Sequence, residues 1–457
     1  MYIFPTDENQ GMEKEFLSTG ILVSLILAAL LVAGCTGPAQ QAGPAVSHSP
    51  YPGETSVVTP SQSPGVTGTS ENAGSVAEAN NRFAFDLYPA LAASPETANK
   101  NLFCSPFSLS TALAIAGEGA NGKTADEILS VLHLPKDPAT RRTGFAGLNT
   151  NINTASADYT LRTANALWAE KNYVFLPSYT GTARQYYSAE TTNLDFATAP
   201  DESRLTINRW VEEKTEKKIR DLLPQGSINT LTRLVITNAI YFKGTWARQF
   251  DANLTRDADF TTSTGQVKKV RMMQDTGKDA EYWYTETADL QYIELPYFQK
   301  SGRSLSMVVL LPKGNDLRPA EAALSESNLS ALKMNAQHRK VNVYFPKFRI
   351  ETGYEMTKTL SSMGMPTAFM PGSADFSGMD GTTKLYITNV FHKAYIDVNE
   401  EGTEAAAATA VVVGLRAAPP GDKTPVFRAD HPFIFLIRDN ESGAILFLGR
   451  VSDPAAV

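Results

Sequence analysis

The sequence predicts an α+β chain, helices first and mixed strands after, in one large domain that follows a targeting segment and a tether. Three observations carry this. Apolar residues recur at helical spacing early, in residues 76–93, after Pro106 (Leu109, Leu113, Ile115) and in residues 203–223 (Leu205, Trp210, Ile219, Leu222). Runs rich in β-branched and aromatic residues dominate later, at 232–242, 305–311, 340–345, 385–397, 432–438 and 444–451. The two kinds of segment are separated along the chain instead of alternating, which argues against a repeating βαβ fold.

The elements follow in order. Residues 21–33 form an apolar run shorter than the roughly 20 residues a membrane-spanning helix needs. The run ends in Val32-Ala33-Gly34-Cys35, which resembles the lipobox of prokaryotic lipoproteins, so residues 1–35 are expected to be a signal peptide with Cys35 as the lipidated residue. An uncleaved signal anchor is the alternative, since Glu13 and Glu15 weaken the positive flank of a signal. Both readings place the bulk of the chain outside the cytoplasm, anchored to the cell membrane or secreted. Residues 36–75 are mostly Pro, Gly, Ser, Thr and Ala, too poor in large apolar groups to offset their ordering entropy, and read as a disordered tether. Residues 76–457 show no second linker and no repeat, and are taken as one domain.

Composition excludes several functions. With 457 residues, 42% hydrophobic and 19% charged, the chain can bury a large core. A formal net charge of -7 and the absence of a basic run or stripe argue against a nucleic-acid partner. The five histidines, His48, His133, His338, His392 and His431, never fall at i, i+4, so no metal site is expected. Gly117-Glu118-Gly119-Ala120-Asn121-Gly122 matches Gly-x-Gly-x-x-Gly, but it follows a helix and reads as a helix-ending turn. No phosphate-binding loop or Gly-x-Ser-x-Gly elbow is present, and the chain is not expected to be an enzyme. Cys35 and Cys104 are the two cysteines, and the apolar Leu102-Phe103-Cys104-Ser105-Pro106 makes Cys104 a buried inert thiol. Ser105 is a good helix cap, with Pro106 at the first helical position.

The most telling stretch is 400–425, Glu-Glu-Gly-Thr-Glu-Ala-Ala-Ala-Ala-Thr-Ala-Val-Val-Val-Gly-Leu-Arg-Ala-Ala-Pro-Pro-Gly-Asp-Lys-Thr-Pro. The alanines favour helix and the valines favour strand, and no polar face marks a finished surface helix. Counted in twos, Thr403, Ala405, Ala407, Thr409, Val411 and Val413 are compact and uncharged, while the other parity carries the one charge, Glu404. Such a segment suits a loop in one state and a strand in another.

The domain closely resembles the serpins. Asn101-Leu102-Phe103-Cys104-Ser105-Pro106-Phe107-Ser108 is similar to the family's buried helix start, and Ile207-Asn208-Arg209-Trp210-Val211-Glu212 together with Ile219-Arg220-Asp221-Leu222 is similar to its helix crossing the main sheet. Thr237-Asn238-Ala239-Ile240-Tyr241-Phe242-Lys243-Gly244-Thr245-Trp246 and Phe345-Pro346-Lys347-Phe348 resemble its strand signatures. Ala374-Asp375-Phe376-Ser377-Gly378-Met379, Phe391-His392-Lys393-Ala394 and His431-Pro432-Phe433-Ile434-Phe435 continue the match in the right order and spacing.

The resemblance implies three β-sheets with eight to nine helices and an exposed reactive loop. It implies a suicide-substrate inhibitor of serine proteases that acts by loop cleavage, acyl-enzyme formation and loop insertion, works as a monomer and needs no cofactor. Glu400, Glu401, Gly402, Thr403, Glu404, Ala405, Ala406, Ala407 and Ala408 correspond to the hinge, and none of its inward positions is bulky or charged. The family's spacing puts the reactive bond between Arg416 and Ala417, which suits trypsin-like proteases, although residues 417–427 run a few residues long. Ser105, Ser108, Asn238 and His392 match the shutter, a polar cluster beneath the strands that part, and Trp246 the breach where insertion begins. The alternative reading is a non-inhibitory serpin-fold binding module or chaperone at the cell surface.

Overall fold

The computed structural model describes residues 70–153, 159–300, 303–403 and 424–456. The chain divides into two units, Met1–Ser61 and Gln62–Val457, and every described residue belongs to the second. The expected signal peptide and most of the tether, with Cys35, lie outside the described residues.

The first part is mainly helical: α1 (Ser70–Ala92), β1 (Leu102–Cys104), α2 (Pro106–Glu118), α3 (Gly122–Val131), α4 (Pro138–Asn153), β2 (Tyr159–Glu170), α5 (Pro177–Tyr187), β3 (Glu190–Leu194) and α6 (Pro200–Lys214). Strands then take over with β4 (Leu234–Thr245), β5 (Arg256–Thr261), β6 (Val267–Asp275), β7 (Glu281–Glu286), β8 (Leu290–Pro296) and β9 (Leu305–Pro312). The rest comprises α7 (Arg318–Ala322), α8 (Glu326–Asn335), β10 (Gln337–Lys340), β11 (Asn342–Pro346), β12 (Phe348–Glu355), α9 (Thr357–Met363), α10 (Ser377–Asp380), β13 (Ile387–Val398), β14 (Gly402–Thr403), β15 (Val426–Arg428), β16 (Phe433–Asp439) and β17 (Ile445–Val451). The α+β expectation holds. Among the described residues three sheets form, ordered β1-β17-β16-β9-β8-β7-β10, β15-β11-β6-β5 and, for the main sheet, β12-β13-β14-β4-β2-β3.

Local chemistry explains the elements that position the main sheet. Ser105 caps α2 by accepting the Ser108 N–H, with Pro106 next to it, and α2 is buried from Pro106 to Gly117, so it runs through the core. The glycine-rich segment after it ends α2 at Gly119 and opens α3 at Gly122 with φ +51°, a helix-to-helix turn as expected. Cys104 is buried and its thiol is pushed up to about 12 by burial, which makes it inert.

One expected helix is shorter than its pattern. The 203–223 periodicity yields α6 only to Lys214, where Thr215 Oγ1 donates to the Val211 carbonyl at 2.8 Å and accepts the Ile219 N–H at 3.3 Å. Beyond it Glu216, Lys217 and Asp221 take positive φ, and Ile219, Leu222 and Leu223 are buried in the cluster beneath α6 that also holds Tyr241 and Tyr395. The chain leaves the helix so that these three residues reach the sheet, and tertiary burial overrides the helical period.

In the seven-stranded sheet Gly449 pairs with both Phe103 and Phe435. A Cβ on Gly449 would lie 2.4 Å from the Phe435 ring and 3.1 Å from the Leu102 carbonyl oxygen. Gly449→Ala is therefore expected to overpack the aromatic stack and cost about 1–3 kcal/mol. An unchanged urea midpoint by tryptophan fluorescence would refute this.

Candidate functional site

The site is a seam in the main sheet. β4 and β13 lie parallel and paired from Ile387↔Leu234 to Tyr395↔Tyr241. Above that, the two residues of β14 sit between the same strands and run antiparallel to both, with Thr403 facing Val398 on one side and Gly244 on the other. The seam is thus closed along most of its length and wedged at one end.

The wedge is held by close fitting and by a ring of polar contacts. A Cβ on Gly402 would lie 2.1 Å from the Gly244 carbonyl oxygen, so the position admits only glycine. Thr403 is fully buried and its hydroxyl is 2.8 Å from the Tyr297 hydroxyl. Tyr297 is itself buried, which raises its pKa and keeps it neutral, able to donate or accept here. Trp246 stacks on Tyr297 with centroids 4.7 Å apart and donates its indole N–H to the Asn399 carbonyl at 3.0 Å. The Trp246 and Phe250 N–H groups bond the Glu401 and Glu400 carbonyls at 2.9 Å each. Glu400 accepts from Lys347 Nζ at 2.6 Å and from Thr255 Oγ1 at 2.8 Å. Burial works to raise the Glu400 carboxyl, but these donors hold it below its ordinary value, so it stays ionised. Glu401 is exposed beside them.

Midway down the seam lies a buried polar cluster. His392 and Asn238 are opposite each other in the β13/β4 register, and the imidazole Nδ1–H donates across the seam to Asn238 Oδ1. The other ring nitrogen, Nε2, accepts the Ser105 N–H at 3.1 Å. The Asn238 amide donates to Ser108 Oγ and to Asn165 Oδ1 on β2, and Ser108 Oγ donates to Asn165 Oδ1 at 3.0 Å. Ser105 Oγ donates to the Leu446 carbonyl at 2.6 Å. These bonds join α2 to β2, β4, β13 and β17, and they are satisfied only by a neutral imidazole. Burial pushes the His392 pKa down to about 3, against a hydrogen bond to Asn238 that works to raise it.

The structure therefore brings Ser105, Ser108, Asn238 and His392 into one cluster, and Trp246, Glu400, Glu401, Gly402 and Thr403 into another. Glu404, Ala405, Ala406, Ala407, Ala408, Arg416 and Ala417 lie outside the described residues. Sequence reasoning missed Asn165 and Tyr297. Asn165 is a polar residue inside the strand pattern Thr163-Ala164-Asn165-Ala166-Leu167-Trp168, a signal that something polar sits beneath that strand; Tyr297 had none. Among the described residues no group of three or more His, Cys, Asp and Glu side chains is placed to hold a metal.

A family model described as "Serpin (serine protease inhibitor)" matches residues 78–454. An uncharacterised serpin-like protein of Thermococcus kodakarensis is 41% identical over 441 residues, covering 95% of this chain and 99% of that protein. The leukocyte elastase inhibitor of Homo sapiens is 40% identical over 388 residues, covering 83% of this chain and 99% of its own. The crystal structure of Serpin48, described as a highly specific serpin in the insect Tenebrio molitor, superposes with a TM-score of 0.72 at 34% identity, covering 83% of this chain and 98% of that one.

The depressed His392 pKa makes stability depend on pH. The neutral ring is favoured in the fold and titrates near 6.5 when unfolded, so its contribution is complete above about pH 6.5 and is lost as pH falls from there toward about 3. Stability is expected to drop by up to about 1.4 kcal/mol per pH unit in that window from this group. Urea midpoints from pH 7.5 down to 4.5 test it: His392→Gln should show a shallower decline than the parent, and parallel curves would contradict the assignment.

Proposed function

Because the chain belongs to the serpin family, we propose that it is an inhibitory member that traps trypsin-like serine proteases as a suicide substrate. The observation that carries the reading is the wedge: Gly402 and Thr403 already stand as a strand between β4 and β13, and the sequence that follows them is compact and uncharged at every second position.

The chemistry runs as follows. The protease serine hydroxyl adds to the Arg416 carbonyl, the bond to Ala417 breaks, the new amine of Ala417 takes a proton, and Arg416 remains on the serine as an ester. The long cation of Arg416 suits a specificity pocket that holds a carboxylate. Cleavage releases residues 402–415 from their tether to β15, and they extend β14 down the seam. Each ladder hydrogen bond contributes about 0.5–1.5 kcal/mol net, so some ten of them make insertion strongly downhill. At roughly 3.3 Å per residue, the inserted segment carries the acyl-enzyme about 45 Å, and deacylation stalls when its oxyanion hole is pulled out of shape. The uncleaved fold is held by a barrier and not by lowest free energy. A lipid on Cys35 would fix this trap outside the cytoplasm on a tether of residues 36–75.

The test is to mix the protein with trypsin and resolve the products on a denaturing gel. A band at the summed mass is expected; clean cleavage with full protease activity would favour the serpin-fold binding module instead. Arg416→Ala should abolish inhibition of trypsin without moving the urea midpoint, and an unchanged inhibition rate would place the reactive bond elsewhere. Thr403→Arg would force a guanidinium into a fully buried site and should turn the inhibitor into a substrate. Undiminished trapping by that variant would refute insertion.

A further inference from the structure

A cavity of about 470 Å³ lies apart from the seam, and none of its lining residues belongs to the main sheet. Its apolar walls come from the C-terminal part of α1, through Phe85, Pro89, Ala92 and the adjoining Ala93, and from Leu324 just past α7. Its polar groups are Tyr88 of α1, Glu321 of α7 and Arg450 of β17. The volume falls in the range of pockets that enclose small molecules.

The polar groups are not equally available to a ligand. Arg450 is 5% exposed, and its Nε and Nη2 already donate to main-chain carbonyls, to Lys100 at 3.1 and 2.9 Å and to Thr97 at 2.7 Å. Tyr88 is buried too, and its hydroxyl donates to Glu321 Oε1 at 3.2 Å. Burial raises the Tyr88 pKa, which keeps the phenol neutral and a donor. Glu321 is half-buried, and among the described residues no cation is paired with it. One of its oxygens takes the Tyr88 proton; the other is left for an outside donor.

A second acceptor comes from the backbone. Pro89 stands inside α1 and has no N–H. The Phe85 carbonyl, one turn earlier, therefore lacks the donor that residue 89 of a regular helix would supply. Phe85 and Pro89 both line the cavity. A carboxylate and a carbonyl accept hydrogen bonds and give none, and an aromatic wall attracts a cation to its face. Arg450, the group that would draw an anion, is turned to the main chain.

We propose that this cavity binds a small organic cation of the arylalkylamine class, with the ammonium group between Glu321 and the Phe85 carbonyl and the apolar body against Ala92 and Leu324. The site is independent of protease trapping.

The test titrates the full chain with three probes that share one ring system and differ in the head: naphthylmethylamine, naphthylmethanol and naphthoate. Binding is followed by calorimetry and by saturation-transfer NMR. The amine should bind about tenfold more tightly than the alcohol, the worth of a hydrogen bond to a charged group, and the acid more weakly than either. Glu321→Gln keeps the shape and the Tyr88 contact; it should weaken the amine about tenfold and leave the alcohol unchanged. Pro89→Ala returns an N–H to the Phe85 carbonyl and should weaken the amine about threefold. Ala92→Phe fills the cavity and should abolish binding of all three probes. Ala93→Phe, at an exposed position of the same wall, serves if that variant fails to fold. Preference for naphthoate over the amine overturns the assignment, since Arg450 would then select the head group. Amine binding left unchanged by Glu321→Gln and Pro89→Ala, or surviving the filling variant, also overturns it. So does the absence of amine binding at millimolar concentration.

Discussion

The proposed function depends on two parallel strands being neighbours. β4 and β13 are far apart in sequence, and their pairing is the one parallel contact at the centre of a sheet whose adjacent pairings, β12 with β13 and β2 with β4, are antiparallel. Parallel ladders are slightly the weaker kind per residue. A strand continuing β14 would run antiparallel to both β4 and β13, as β14 does now. It would exchange one parallel ladder for two antiparallel ones, which is a physical reason for the closed seam to be the less stable arrangement of the sheet.

The cluster at the middle of the seam opposes that exchange. His392, Asn238, Ser105 and Ser108 are held in an interior where an unpaired polar group is expensive, and the bond between His392 and Asn238 lasts only while β13 and β4 stay together. Parting the strands breaks the imidazole bond to Asn238 before any new strand can compensate. In the proposed insertion the cost would fall early in opening and the gain would come late, so this polar contact would act as a kinetic barrier without adding much to final stability.

Much of this was legible in the sequence. The capped start of α2, the strand character of β4, β9, β11, β13, β16 and β17 and the inert Cys104 followed from local chemistry, because each rests on residues adjacent in the chain. The shutter and breach residues came from the resemblance, since no periodicity links Ser108 to His392. What escaped was non-local. Asn165 and Tyr297 matter for what lies opposite them, and the end of α6 is set by the sheet beneath it and not by its own pattern. Helices α3 to α5 and strands β5 to β8 also went unread.

The wedge ties the structure back to the parity of the sequence. Side chains in a strand alternate faces, so a slip of one residue reverses every one of them. Here the register is pinned at its first two positions. Only a glycine fits where the Gly244 carbonyl approaches residue 402, and Thr403 meets the Tyr297 hydroxyl in a fully buried site. A slip in one direction would drive Glu404 into that site, and a slip in the other would leave Tyr297 facing a glycine. With Thr403 turned inward, a strand continued in the same register turns Ala405, Ala407, Thr409, Val411 and Val413 inward and Glu404 outward. Two residues therefore determine which face of the whole following segment the sheet would receive, and it is the face on which the sequence carries no charge.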